Sequence, residues 1–220
     1  RHPVDLLLGG LLLLGLVVVA TYAIERTRLG GYAGRQPLPR GPTRSFVLTQ
    51  LSGGVLATAG LWGLDRLIGD TFQNASVDLL HTSLQPWDSG RVTLLLGVLL
   101  VSVATFWGVT LIFSSVRLPW TARHRSRRVG LLIGAVWCAP GMVLGLGGLL
   151  PALATMPLLV TAAAAALAMP MMRPRFRHGS HAGRLLALLT TVLVPALLTY
   201  PSLLHHGEET KRRYVETQHA

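Results

Sequence analysis

The chain has 220 residues, of which 50% are hydrophobic and only 13% are charged, and its mean hydropathy is +0.50. A soluble domain carries about 25% charged residues, so this composition excludes a disordered chain and an ordinary cytosolic enzyme. The net charge is +11, but the basic residues lie in short runs between apolar stretches, which argues against a nucleic-acid-binding surface. The single cysteine excludes a disulfide scaffold. A multi-pass membrane protein remains.

Six apolar stretches are each long enough to cross a bilayer, which requires about 20 mostly apolar residues in a helix. The predicted spans are residues 6–24, 46–64, 92–116, 129–150, 152–172 and 185–204. The predicted fold is therefore all-α, a polytopic membrane protein whose residues 1–204 form six transmembrane helices with short loops. Residues 205–220 are predicted to begin an extracytoplasmic helix or linker, because Glu209 and Arg213 stand four positions apart, at helical spacing.

Arginines indicate which loops face the cytoplasm. Three alternate loops, residues 25–45, 117–128 and 173–184, hold 14 of the 20 basic residues, whereas residues 65–91 hold four aspartates and two arginines. Short loops rich in Arg stay in the cytoplasm, so both termini are predicted to be extracytoplasmic. Cleavage of the first span as a signal peptide would leave the first Arg-rich loop outside, against this rule. The inner Arg-rich loops are also expected to bind anionic lipid head groups.

Small residues four positions apart predict where helices pack closely, because helix association in lipid depends on the close approach of backbones. The pairs of this kind are Gly53 with Ala57, Gly130 with Gly134, and Gly141 with Gly145. Pro140 and Pro195 are predicted to bend the fourth and sixth helices. Uncharged polar residues within the spans are expected to bond to the backbone of their own helix or to a neighbouring helix.

Ionisable residues inside a membrane usually mark a functional site, but none stands in the middle of a predicted span. Asp5, Glu25, Asp65 and Arg66 all fall at span ends. This pattern disfavours an ion-coupled pump, an intramembrane aspartyl or metal protease, and a haem held by histidine. No catalytic residue, cofactor site or metal site is predicted, and Cys138 is expected to be an inert, buried thiol.

Two segments carry a resemblance to a known family. The first is residues 74–88, NASVDLLHTSLQPWD, and the second is residues 200–218, YPSLLHHGEETKRRYVETQ. They resemble the N-terminal multi-pass region of large bacterial membrane-bound sensor histidine kinases. The resemblance implies a sensory or anchoring membrane region, an extracytoplasmic helix after it and, farther along a longer native chain, a cytoplasmic kinase. The catalytic motifs of such a kinase are not among these residues.

The predicted function is that of an integral membrane sensory, signal-transducing or anchoring module in the bacterial inner membrane. The last span is expected to pass a shift or rotation to the helix that follows it. The residues expected to sense or couple are His81 and Trp87 in the outer loop, with His205, His206, Glu208, Glu209 and Arg213 after the last span. The outer histidines are candidates for proton sensing, whereas no spacing among them defines a metal site.

Two other functions remain open at this stage. A small transporter or permease subunit is one, because uncharged helix faces could pass a neutral or lipidic solute, although the two halves of the chain show no inverted repeat. A structural subunit of a larger membrane complex is the other, since the small-residue faces allow close contact with a second membrane protein. The expected partners are the lipid bilayer and either a second copy of the chain or another membrane subunit; no nucleic acid is expected.

Overall fold

Six long helices make up the described part of the chain. The computed structural model describes residues 3–31, 43–74, 89–117, 127–148, 152–177 and 181–219. The helices are α1 (Pro3–Gly31), α2 (Thr43–Asn74), α3 (Ser89–Arg117), α4 (Arg127–Leu146), α5 (Ala152–Arg177) and α6 (His181–His219). Since these ranges contain no strand, the predicted all-α class is confirmed for them.

Four of these helices contain a segment that is long and apolar enough to cross a membrane. The segments are Pro3–Arg26, Val47–Thr71, Ser89–Val116 and His181–Glu208. The apolar parts of α4 and α5, Gly130–Leu146 and Met156–Ala168, are shorter. Helix length and composition therefore agree with the multi-pass membrane class that the sequence predicted.

The helices alternate in direction along the chain. α1 and α3 are parallel, because Gly10 lies against Leu100 and Val17 lies against Gly108. The contacts that set the other directions are Gly53 with Val116 and Gly60 with Val109 (α2 and α3), Gly54 with Trp137 and Thr58 with Gly141 (α2 and α4), Gly134 with Leu167 and Gly141 with Leu159 (α4 and α5), and Asp65 with Ser202 and Gly69 with His206 (α2 and α6). Consequently α2, α4 and α6 run one way, and α1, α3 and α5 run the other.

This alternation gathers arginines at one end of the bundle, where α1, α3 and α5 end and α2, α4 and α6 begin. The helical arginines at that end are Arg26, Arg28, Arg44, Arg117, Arg127, Arg128, Arg173, Arg175, Arg177 and Arg184. We call it the Arg-rich end. At the opposite end, α2 continues to Asn74, well past the predicted span end at residue 64. Asp65 therefore lies inside a candidate span and not at its boundary.

The core of the bundle lies around α2 and α3. Phe113 of α3 and Trp137 of α4 are fully buried, and their rings stack with centroids 4.4 Å apart. α5 adds small side chains such as Ala162, which is also fully buried. In contrast, α1 and much of α6 expose leucine and valine side chains. Such exposure suits contact with lipid, because acyl chains are as apolar as leucine.

Two glycines allow the closest helix contacts. A Cβ atom on Gly54 of α2 would overlap the backbone oxygen of Trp137 in α4. A Cβ on Gly141 would lie 2.6 Å from Leu159 and 3.2 Å from the Thr58 hydroxyl oxygen. The close contact predicted at Gly141 is therefore confirmed. At Gly130 the prediction was wrong as far as the described residues go, because a Cβ there would meet none of them within 4 Å.

Candidate functional site

The residues predicted to sense or couple fall into three groups. His81 and Trp87 lie outside the described residues. Glu209 and Arg213 belong to α6, but their side chains are also outside the described part. His205, His206 and Glu208 are described: His205 and Glu208 are exposed, whereas His206 is half-buried. Of the described predicted residues, His206 is the one that reaches into the bundle.

His206 contacts Asp65. From the sequence, Asp65 is predicted to lie at a span end, and it is not among the residues predicted to sense or couple. Asp65 is 8% exposed and lies against α6. The Ser202 hydroxyl donates a hydrogen bond of 2.5 Å to Asp65 Oδ1. The same oxygen lies 3.4 Å from His206 Nε2. We call Asp65, Ser202 and His206 the Asp65 cluster.

Helical spacing explains why these side chains meet. Ser202 and His206 are four residues apart on α6, and Asp65 and Gly69 are four residues apart on α2, so each pair lies on one face of its helix. Because α2 and α6 are parallel, the two faces meet in register. A Cβ on Gly69 would lie 3.2 Å from Cε1 of His206, so the absence of a side chain at this position lets the imidazole lie flat against α2.

The order of the groups distinguishes the Asp65 cluster from a nucleophilic triad. In a triad the imidazole stands between the hydroxyl and the carboxylate and takes the proton of the hydroxyl. Here the carboxylate stands in the middle and contacts both other groups through the same oxygen. The arrangement does not activate Ser202 for attack. It can stabilise a positive charge on the imidazole, and it joins α2 to α6 near the end of the last candidate span.

A second polar contact holds α6 nearer the middle of the bundle. Pro195 is fully buried within α6, and it has no N–H to donate to the carbonyl of Thr191, one turn earlier. The Trp107 indole of α3 donates to that carbonyl at 3.2 Å. The free carbonyl that proline creates is therefore bonded across to a neighbouring helix, which is how proline is tolerated in membrane helices.

We expect Trp107→Phe to lower the free energy of unfolding by about 1 kcal/mol, because the Thr191 carbonyl loses its donor. Pro195→Ala restores a backbone N–H that can bond this carbonyl within the helix. In the Pro195→Ala background, Trp107→Phe should therefore cost less. Detergent unfolding of the two single variants and the double variant measures this coupling. Equal costs in both backgrounds would contradict the assigned bond.

A third polar contact ties α2, α3 and α4 together. The Trp137 indole donates to the side-chain oxygen of Gln50, which is 1% exposed. The amide nitrogen of Gln50 donates to the Val116 carbonyl at 3.2 Å. Other polar residues bond to their own helix as expected; Thr58, for example, donates to the Gly54 carbonyl at 2.8 Å. The bonds of Gln50 leave both ends of its buried amide satisfied, which indicates a structural role.

A cavity of about 350 Å³ lies between α1, α3 and α6. Its walls are mainly apolar, with Leu14 and Val17 from α1, Leu111 from α3 and Leu188 from α6. Glu25 also borders it.

Among the described residues, no three histidine, cysteine, aspartate or glutamate side chains are grouped so that they could hold a metal ion.

Comparisons with protein-family models, with curated proteins and with solved structures find no match to this chain. The resemblance to the membrane region of sensor histidine kinases therefore stays a prediction from two segments. Most of the first segment, residues 75–88, lies outside the described residues. The geometry of α6 and its contacts with α2 and α3 therefore remain as the observations that bear on function.

Proposed function

We propose that this chain is the sensory or signal-transducing membrane module of a longer bacterial signalling protein, and that α6 carries the signal. The observation that supports the proposal is that α6 runs as one helix from His181 to His219 and leaves its candidate span at Glu208. Just before that point it is bonded to α2 through the buried carboxylate of Asp65. A helix held on one side of the membrane boundary can pass a change of register or orientation to the part beyond it.

In this proposal all six helices cross the bilayer and both termini are extracytoplasmic. The alternating helix directions and the arginines at one end of the bundle support this topology. α4 and α5 have 20 and 26 residues, and a helix of 20 residues is about 30 Å long, the thickness of the hydrocarbon core. The Arg-rich end then faces the cytoplasm, and the Asp65 cluster lies at the outer end.

The proposed location is the bacterial inner membrane. At the cytoplasmic face, the arginines of the Arg-rich end would attract anionic lipid head groups. Among the described helices, α1 packs mainly against α3. Its other face presents exposed leucines such as Leu12 and Leu16. A second copy of the chain or another membrane subunit could pack there. These partners are part of the proposal.

Thiol labelling tests the six-span topology. We expect Leu149→Cys and Ser83→Cys, each introduced into a Cys138→Ala background, to react with a membrane-impermeant reagent added to intact spheroplasts. Thr121→Cys should react only after the membrane is permeabilised. Leu149 decides between six spans and four, because it stays on the cytoplasmic side if α4 and α5 do not cross. Protection of Leu149→Cys together with reaction of Ser83→Cys would contradict six spans.

The direct test of signal transmission changes the rotational phase of α6 beyond Gly207. The protein to use is the native full-length polypeptide in membrane vesicles, and the output to measure is its ATP-dependent phosphorylation. A phase change that leaves this output unaltered would contradict transmission through α6. This output is chosen because the resemblance to sensor histidine kinases implies a cytoplasmic kinase, and absence of any phosphorylation in the unaltered protein would contradict that implication.

A further inference from the structure

We propose that Asp65, Ser202 and His206 form a proton-binding site, and that its protonation controls how tightly α6 is held to α2. The meaning of this site for signalling rests on the function proposed above, but the site itself depends only on the contacts of the three side chains. Both the serine hydroxyl and the imidazole meet one carboxylate oxygen, at 2.5 Å and 3.4 Å. The ligand of the site is the proton on the imidazole.

Partial burial suits this role. The side chains of His206 and Asp65 are 16% and 11% exposed. His206 lies two residues before its candidate span ends at Glu208, so the ring is near the proposed outer boundary while most of its surroundings are protein. Histidine is the side chain whose charge ordinarily changes between about pH 5 and pH 8. Buried and partly buried ion pairs are also screened less by salt than exposed pairs. The charge of a protonated ring therefore acts directly on the carboxylate of Asp65, 3.4 Å away.

The direction of the effect follows from the hydrogen bond. A protonated imidazole donates a charge-assisted hydrogen bond to the carboxylate, which is about twice as strong as a neutral one. α6 is therefore held more tightly below the histidine titration and less tightly as the pH rises through it.

Ser202 and Gly69 prepare the site for this titration. The hydroxyl of Ser202 is 2.5 Å from Asp65 Oδ1, so the carboxylate keeps one donor when the imidazole is neutral. Gly69 has no side chain and so leaves room for the imidazole ring of His206. A Cβ on Gly69 would lie only 3.2 Å from Cε1 of that ring. Only the imidazole contact changes its strength with pH. The site can therefore weaken without leaving a buried carboxylate without any partner.

Other charged or titratable groups also lie at this end of the bundle. In the described residues they are Asp5 on α1, Arg66 and Asp70 on α2, Arg91 on α3, and His205, Glu208 and Arg212 on α6. Residues 129–172, which include the nearby ends of α4 and α5, contain no charged residue and no histidine. Of these side-chain types only histidine ordinarily changes charge between about pH 5 and pH 8. His205, beside His206 with ring centroids 5.7 Å apart, is therefore the matched control.

The experiment measures the separation of α2 and α6 in the full chain reconstituted into liposomes. Spin labels are attached to Gly63→Cys and Leu204→Cys, both at exposed positions, in a Cys138→Ala background. The distance distribution is recorded by pulsed dipolar spectroscopy at about pH 5 and about pH 8, the limits of ordinary histidine titration. We expect the ratio of the close to the separated population to fall by about tenfold from the lower to the higher pH, the difference between a charge-assisted and a neutral hydrogen bond.

Three variants decide whether the Asp65 cluster causes the change. His206→Gln and Asp65→Asn should each make the distribution independent of pH, whereas His205→Gln should keep the response of the unaltered chain. If Asp65→Asn does not fold, the two histidine variants decide the matter alone. A distribution that ignores pH in the unaltered chain overturns the proposal. So does a response that survives His206→Gln or is lost in His205→Gln.

The distance is measured without any signalling output, so the two proposals fail separately. A distance between α2 and α6 that does not change with pH would contradict the proton-binding site. The phosphorylation experiment would still test whether α6 transmits a signal. If the distance changes with pH but the phosphorylation output does not depend on the rotational phase of α6, the proposed function is contradicted and the proton-binding site is supported.

Discussion

Inserting one alanine directly after Gly207 is expected to change the phosphorylation output of the native full-length protein by about tenfold. One residue turns the following part of α6 by about 100° relative to the bundle. The insertion comes after Ser202 and His206, so the contacts that hold α6 to α2 stay in place. A tenfold change lies within the usual range of coupling free energies between sites, about 1–3 kcal/mol.

An insertion of seven residues at the same place is the control. It lengthens the helix more, but it returns the following residues to within about 20° of their original phase. We therefore expect output close to that of the unaltered protein. A loss that grows with the length of the insertion, irrespective of phase, would indicate simple damage to the linker and would contradict a rotational signal.

Gly54→Ala is expected to lower the free energy of unfolding by about 2 kcal/mol, a typical cost of overpacking a close contact. The new Cβ would overlap the Trp137 carbonyl oxygen and lie 3.2 Å from Cγ of Pro140. The oxygen belongs to a helix backbone and cannot rotate away as a side chain could. α2 and α4 would have to separate, which would also stretch the bond between Trp137 and Gln50.

Gly63→Ala supplies the matched control for this prediction. Gly63 is on the same helix, but a Cβ there meets none of the described side chains or backbone atoms within 4 Å. Alanine favours the helix over glycine by up to about 1 kcal/mol, so this variant should be as stable as the unaltered protein or slightly more stable. Unfolding by SDS in mixed micelles, followed by tryptophan fluorescence, gives both midpoints. Equal midpoints for the two variants would contradict the tight contact at Gly54.

The Asp65 cluster could be predicted only in part from local sequence patterns. The sequence predicts His206 as a candidate because it is a histidine just beyond a predicted span. Asp65 was passed over, because the aspartate and the arginine after it suggested that the second span had ended. The helix in fact continues to Asn74, and the carboxylate is buried against a serine 137 residues away along the chain. The one available signal was the matching spacing of Asp65 with Gly69 and of Ser202 with His206.

Packing partners were predicted with mixed success for a related reason. Gly141 is in close contact and Gly130 is not, although both belong to the same kind of small-residue pair. The close contact between Gly10 of α1 and Leu100 of α3 has no such pattern on the α1 side, since its glycine neighbour is adjacent and not one turn away. A small residue permits close approach, but it does not identify the helix that approaches.

The helical class, the approximate positions of the long apolar helices and the grouping of arginines in alternate loops could all be predicted from the amino-acid sequence. Each of these follows from composition within about 20 consecutive residues, which is the length that a bilayer requires. The tertiary structure alone decided which helix faces lipid and which lies in the core. α1 and α3 are both strongly apolar, yet α1 is exposed and α3 is central. In lipid an apolar surface gains little by leaving the solvent, so close packing and a few polar contacts, such as those of Asp65, Gln50 and Trp107, select the neighbours.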